Sequence, residues 1–552
     1  MAEKDRKFTT EQVAEEFIKQ GGNVSATARS LGLHRSTVQE ALRKTPLLKK
    51  PLVGGALSGF STTTKASLPP KGTVKRYICT SAQNNTHVHK AFWEALLLLA
   101  EHYSAEILIG TYSYNQNAYG PTAVKYGSID GKDSTTYAKQ PWFDPLIADY
   151  IDDKSLELGP GLVWCGEMNI MPTAVNPLAG LETYTHRKSA IFPHAKVAMR
   201  SIATMQGEGT KLNYTTGTVT MMNYIQKKEG IKAEHHHKYG ALVVEVDAKG
   251  YWAVRQIGWS EKHQNIQDLD VVVQDGKVTT GNTVEAITWG DLHGTAAEPW
   301  VVDLSQEILD TLKPKYQFLH DVMEGASTNP HVIKHGPDAH YGYNRWLRGL
   351  HRVDEELKRT TEIIKRYLRP WCQTVVPDSN HDQSWFRRWL LKYDYRYDPA
   401  NAELFLDAQK WFYEQIKENT AKGLSHKEIN LSAYVFAKFG LTPKDIKFLL
   451  VDEGFTILNK KIECGVHGHM GPNGSFGTPE NLSKIGRRMN TAHTHSCGIY
   501  NGLFVAGTSS KLVWSYNWGP SSWSHSHVLT YGNGQRTILT MWEKQWKAEE
   551  GK

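Results

Sequence analysis

After residue 283 the chain repeats one arrangement five times: a short apolar run ends abruptly in histidine, aspartate or asparagine. "VEAITWGDLHG" delivers Asp291 and His293, and "YQFLHDVMEGAS" delivers Asp321. "CQTVVPDSNHDQ" delivers Asn380, His381 and Asp382. "IECGVHGHMG" delivers His467, with His469 two residues on, and "MNTAHTHSCG" delivers His493 and His495. Such runs read as buried strands. A carboxylate and an imidazole two residues apart at the mouth of a strand make little sense as packing. Strand-end loops of a parallel α/β sheet rest on regular structure yet open to solvent, so distant segments gather their side chains there. The repeat predicts an α/β domain over 284–540 with one site at its strand ends. Between the second and third runs, Leu347, Leu350, Val353, Leu357, Ile364 and Leu368 fall on one stripe of an amphipathic helix.

The order D-x-H, D, N-H-D, H, H-x-H, each behind a strand, resembles the signature of the calcineurin-like metallophosphoesterases, a family that includes SbcD-type DNA nucleases. The likeness spans residues 284–535. It implies a β-sandwich flanked by helices and two divalent cations, manganese or magnesium. Such ions sit roughly 3.5–4 Å apart on a shared carboxylate with neutral nitrogen and oxygen donors around them. Carried over residue by residue, Asp291, His293, Asp321 and His495 hold the first ion. Asp321 bridges, and Asn380, His467 and His493 complete the second. His381 contacts the phosphate and assists the leaving oxygen, with Asp382 orienting its imidazole. His320, Ser379 and Ala492 stand where the family usually has glycine, and Glu324 where it often has aspartate. A glycine is needed there only if the backbone takes a positive φ. His469 competes with His467, which lies nearer its strand. His525 and His527 in "SSWSHSHVLTYGNG" project from one face of a strand and read as structural.

The N-terminal segment "FTTEQVAEEFIKQGGNVSATARSLGLHRSTVQEALRK" reads as three short helices, with Gly21-Gly22 ending the first and Asn23 or Ser25 capping the second. Ala28, Gly32 and Val38 stand at helix-turn-helix spacing, where a small residue, a turn glycine and a buried β-branched side chain are needed. Residues 1–46 are thus expected to bind DNA through Arg29, His34, Arg35, Ser36, Thr37, Gln39, Arg43 and Lys44. The alternative is a small bundle for protein contact. Net charge is +7, but 29–76 alone carries ten lysines or arginines against Glu40, so the positive charge is concentrated where it can meet phosphates. Residues 47–75, rich in Gly, Ser, Thr and Pro, read as a basic linker.

Over 76–283 the pattern is α/β, beginning with "RYICTSAQ" (strand), "HKAFWEALLLLAEHY" (helix) and "AEILIGTYSY" (strand), and including a hairpin turning at Asp247 to Gly250. Its role is not legible. His235-His236-His237 would enter a strand, whose neighbours point to opposite faces, so a surface loop fits better than a metal site. His87 and His89 read as capping the first helix, and "TYSYNQNAYG" as a surface loop. Five scattered cysteines, none in a C-x-x-C pair, argue for a reducing compartment. No signal-peptide core or membrane-length apolar run is present, so a cytoplasmic protein is expected. Residues 541–552 read as a charged tail.

The layout as a whole resembles early proteins of T5-like phages implicated in degrading host DNA, which implies a manganese- or magnesium-dependent DNase and a homo-oligomer. Two alternatives stand beside it. One is a phosphatase or nucleotide phosphodiesterase carried to DNA by the basic arm. The other is a DNA-binding assembly or regulatory protein with a vestigial site.

Overall fold

A computed structural model of the chain describes residues 8–19, 24–34, 37–38, 41, 63–114, 142–328, 343, 346–392, 394, 396, 399–514 and 517–549. It divides into two compact units, 1–63 and 64–552. In the first, helices Thr10–Lys19 and Val24–Leu31 are followed by helical backbone at 37–38 and 41. Val13, Ala28, Val38 and Ala41 form its core, and Gly32 turns with φ +63°. Arg29, His34 and Thr37 are exposed. Arg35, Ser36, Gln39, Arg43 and Lys44 lie outside the described residues, as do the expected stop and cap at 21–23, linker residues 47–62 and 115–120 of the tyrosine-rich loop.

The larger unit is mixed α/β with several sheets. A six-stranded sheet runs Ile446–Phe448, Gln373–Val376, Tyr316–Phe318, Ala286–Thr288, His525–Thr530, Arg536–Met541. Its first four strands are parallel and the last two antiparallel. Period-2 alternation places successive residues on opposite faces. Ile287, Leu319, Val376, Leu529 and Leu539 face helices Pro299–Leu312, Val353–Tyr367, Trp385–Lys392, Ala402–Ala421 and Leu431–Ala437. Ala286, Phe318 and Val375 face the other way, onto Ile457, Ile462 and Cys464 of an eleven-stranded sheet, while Val528 and Ile538 meet its Ile499 and Phe504. Each such fully buried aliphatic side chain contributes about 1.5–3 kcal/mol.

The eleven-stranded sheet joins strands between Thr64 and Thr215 to strands between Thr456 and Val505, through the pairing of Met199–Ile202 with Gly498–Tyr500. Hydrogen-bonded strands therefore lie on both sides of the expected 283/284 boundary, and 63–75 includes strand Thr64–Lys65 and the start of Val74–Gln83. The four-stranded sheet Trp252–Gly258, Gly240–Asp247, Val74–Gln83, Glu106–Tyr112 covers the far end. Tyr77, Cys79, Leu242 and Val244 face the larger sheet, and Ile78, Ile109 and Val243 face helix Lys90–Tyr103. His89 caps that helix, accepting from Phe92 N at 3.2 Å. All five cysteines are free and buried. No helix among the described residues is long and apolar enough to cross a membrane.

Three local expectations are corrected. His235 and His236 close helix Lys228–His236 instead of entering a strand. His237 is buried, its ring between Tyr224 Oη (2.7 Å) and Thr220 O (2.9 Å). The amphipathic helix begins at Val353, so Leu347, 61% exposed, is outside its stripe. Residues 542–549 are no solvated tail, because tryptophans anchor them: Trp542 Nε1 donates to Trp252 O and Trp546 Nε1 to Glu307, while 550–552 lie outside the described residues.

Candidate metal centre

Ala286–Thr288, Tyr316–Phe318 and Gln373–Val376 run parallel to one another in one sheet, and Ile462–Glu463 and Met489–Thr491 in the other, so within each sheet their C-terminal loops emerge at the same end. Those loops touch. Asp291 N donates to Gly507 O (3.2 Å), and Ser509 N donates back to Asp291 O (2.8 Å). A Cβ on Gly290 would come within 2.6 Å of Thr508 N, so only glycine lets the backbones approach here. Leu292, His293 and Gly294 donate in turn to His320, Asp321 and Val322 at 2.9, 2.7 and 2.8 Å, zipping the first two loops together.

Six of the expected ligands, together with His381, converge in overlapping groups that are buried except for the half-buried His493: Asp291, His293 and His495; His293, Asp321 and His381; Asp321, His467 and His493. Within each group the ligand atoms lie within 4.8 Å of one another. Asp321 is common to two of them. Its Oδ2 stands 3.2 Å from His467 Nε2 and 3.9 Å from both His293 Nε2 and His381 Nε2. Asp291 Oδ2 is 3.1 Å from His495 Nε2, which is 3.0 Å from His293 Nε2. Asn380 Oδ1 is buried without a hydrogen-bond partner. Asn380–Ser384 forms a wide π-type turn opening helix Trp385–Lys392, a feature frequent at functional sites.

The electrostatics fit a cation. Among the described residues, no lysine or arginine forms an ion pair with Asp291, Asp321 or Glu324, although burying uncompensated carboxylates is costly. Burial, then the charge of Asp321, pushes the Asp291 carboxyl well above its ordinary range. Burial lowers His293 and His467 well below theirs and brings His495 to about 4, so these imidazoles are neutral, the form that ligates. Asp291 Oδ2 and His467 Nε2 approach their neighbours to 3.1 and 3.2 Å, yet neither has hydrogen-bond alignment. Close, misaligned polar atoms are what side chains aimed at a common ion produce. The buried His/Asp clusters could bind metal ions.

Four of these residues have left-handed backbone: His293 (φ 45°), Asp321 (41°), His493 (74°) and His495 (57°). Non-glycine residues pay about 1–3 kcal/mol each for strained conformations of this kind, which cluster at functional sites. His320, Ser379 and Ala492 are not among the positive-φ residues, so those positions need no glycine; in two of the three loops the strain falls one residue later, on Asp321 and His493.

His467 belongs to a cluster and His469 does not. His525 and His527 are structural, their Nδ1 atoms 3.1 Å from Thr508 O and 3.0 Å from Gly290 N. Asp382 differs from expectation. Its carboxylate accepts Val322 N (3.2 Å) and Met323 N (2.9 Å), bracing the Asp321 loop, while His381 Nδ1 donates to Glu324 O at 2.7 Å. Four neighbours were not expected. Glu324 Oε2 lies 3.1 Å from His293 Nδ1, and His320 Nδ1 lies 3.2 Å from His467 Nδ1. Trp514 and Trp523 stand edge-on to His293 (4.8 Å) and His495 (4.1 Å). The Glu324 departure was a signal for the first; the tryptophans left none, since only folding brings their loop over the site.

Compared with known proteins, the chain matches no protein-family model and no solved structure. It is 35% identical over 478 residues to Protein A1 of Escherichia phage T5, covering 84% of this chain and 81% of that protein. On that likeness, the chain belongs to the family of phage T5 Protein A1.

Proposed function

We propose that this chain is a metal-dependent phosphodiesterase that cleaves DNA, with a metallophosphoesterase-type sandwich in its C-terminal half and a helix-turn-helix in residues 1–46. The observation that carries this reading is the meeting of seven side chains from five loops in three overlapping groups, two of which share Asp321. Asp291, His293 and His495 would hold one cation, Asn380, His467 and His493 a second, and Asp321 would serve both. When bound, two Mn²⁺ or Mg²⁺ ions supply Lewis-acid stabilisation of phosphate charge and an acidified water.

The chain's own groups do the rest. His381 Nδ1–H is committed to the Glu324 carbonyl, which can only accept, so Nε2 is the ring atom that can carry a proton to the leaving oxygen. Asp382 holds the 321–323 loop against the 380–384 turn through two backbone amides, fixing Asp321 before substrate arrives. The concentration of positive charge over 29–76 favours a polymeric anion as substrate, with affinity falling as salt rises. Kinship with a phage protein fits a role in the infected host, with host DNA in the host cytoplasm as the target.

The test is cleavage of linear and circular DNA by the full chain with Mn²⁺, for wild type, Asp321→Ala and His381→Ala. Both variants should lose cleavage while retaining DNA. Persistence of cleavage in Asp321→Ala overturns the shared-carboxylate site. Turnover of a chromogenic phosphate ester with no loss of DNA length would instead assign a phosphatase.

A further inference from the structure

A cavity of about 660 Å³ opens beside the six-stranded sheet, and none of the seven clustered side chains of the candidate centre lines it. It lies between the 160–161 turn, the start of helix Pro299–Leu312 and the end of strand Arg536–Met541. Its volume is that of a small-molecule site, and its walls hold Trp252, Trp300 and Trp542. Trp252 Nε1 donates to Pro160 O at 3.0 Å and Trp542 Nε1 to Trp252 O at 2.8 Å, so these two rings offer the cavity only π-surface.

The polar groups of the cavity ask for donors. His525 Nδ1 lies 3.1 Å from Thr508 O, which can only accept, so that nitrogen carries the proton and Nε2 is a bare acceptor. Thr540, also in the wall, is 5% exposed, and its Oγ1 has no hydrogen-bond partner, a cost that a bound ligand removes. Arg187 and Glu208 neutralise each other at 2.9 Å. The remaining charges of the wall are Lys511 against Glu298 and Glu543, which leaves the cavity net negative.

Each of these two acids stands by an indole. Glu298 is two residues before Trp300, whose ring meets that of His525 at 5.0 Å. Glu543 follows Trp542, whose ring is 5.3 Å from that of Trp252. An aromatic face and a carboxylate together hold an organic cation. A quaternary ammonium has no N–H for Nε2 of His525 or Oγ1 of Thr540, whereas a primary ammonium has three. We infer that this cavity binds a linear aliphatic amine protonated at both ends, one end at Trp300, Glu298 and His525, the other at Trp252, Trp542 and Glu543.

The test is titration calorimetry of the full chain as purified, at about pH 7 and about 0.15 M salt, which screens loose surface binding. The probes are putrescine, with two cationic ends, butylamine, with one, and 1,4-butanediol, with none. Putrescine should bind, butylamine about 3- to 150-fold more weakly, and the diol not at all. Glu298→Gln with Glu543→Gln should raise the Kd for putrescine by about 2- to 30-fold. Lys511→Met, at an exposed position, should lower it by up to about 5-fold, and keeps the test open if the double variant is unstable. Asp321→Asn should bind putrescine as the wild type does. No heat with putrescine, equal affinity for butylamine, or a wild-type Kd in both the double variant and Lys511→Met overturns the inference. A loss confined to Asp321→Asn would put the amine at the candidate metal centre and also overturn it. Deoxyadenosine monophosphate is the anionic control: binding that Lys511→Met weakens would make the cavity an anion site instead.

Discussion

Replacing Asp321 by asparagine asks whether one carboxylate serves two ions. Each ion that binds only the folded chain adds about 2.7 kcal/mol of stability at one hundred times its Kd. The unfolding entropy of a unit spanning 64–552 is on the order of 1 kcal/mol/K, from about 2.1 cal/mol/K per residue. One ion should therefore raise Tm by roughly 2–3 °C, and two by about 5 °C. His493 belongs to one cluster and Asp321 to two. His493→Ala should keep about half of the Mn²⁺-induced rise, whereas Asp321→Asn should lose nearly all of it. The metal-free Asp321→Asn protein should melt no lower than metal-free wild type, because it lacks a buried charge that no described lysine or arginine pairs with. Calorimetry of metal-stripped protein titrated with Mn²⁺, with metal content measured alongside, reads all three. A full two-ion shift in Asp321→Asn would refute the reasoning.

The same geometry sets other outcomes. His381→Ala should lower turnover of a small phosphate ester by about 10²- to 10⁴-fold, read as kcat, if Nε2 carries the proton. Asp382→Asn replaces one of two acceptor oxygens with a donor, leaving a buried amide of Val322 or Met323 unmet. It should cost about 1–3 kcal/mol in denaturant unfolding, and an unchanged midpoint would show the brace to be idle. With Asp291 pushed up, the metal-free folded state holds a proton that the unfolded chain releases near its ordinary value of about 4. The Asp291 contribution to metal-free stability should thus fall as pH rises above that value. His293, His467 and His495, held below their ordinary value, instead contribute stability that grows up to about pH 6.5. Since cations need the carboxylate, the Mn²⁺-induced Tm shift should grow from pH 5.5 to 8; a flat response would contradict this. Deleting residues 1–46 should weaken DNA retention and flatten its salt dependence, measured by filter binding at several salt concentrations.

Much of the candidate site was legible because its signals are local. A short apolar run followed by D-x-H or H-x-H can be read without knowing its neighbours, and the loops after those runs do meet. The 240–258 hairpin and the His89-capped helix were legible for the same reason. Segments whose outcome depends on distant partners were not. "KEGIKAEHHH" carries no clear apolar period, so only its packing through Ala233 and the burial of His237 settles it as a helix end. Asp382 was expected on the imidazole of its neighbour, yet its carboxylate is taken up by amides sixty residues earlier in the chain, those of Val322 and Met323.

By itself the sequence determined which polar side chains stand at the ends of buried runs, because alternation and apolar length depend on each residue and its immediate neighbours. Tertiary structure alone decided that strands near 200 pair with strands near 500, that Asp321 sits between two groups of histidines, and that Trp514 and Trp523 close over them. Contacts across hundreds of residues are chosen by the packing of whole faces, and no local pattern records which face a strand will meet.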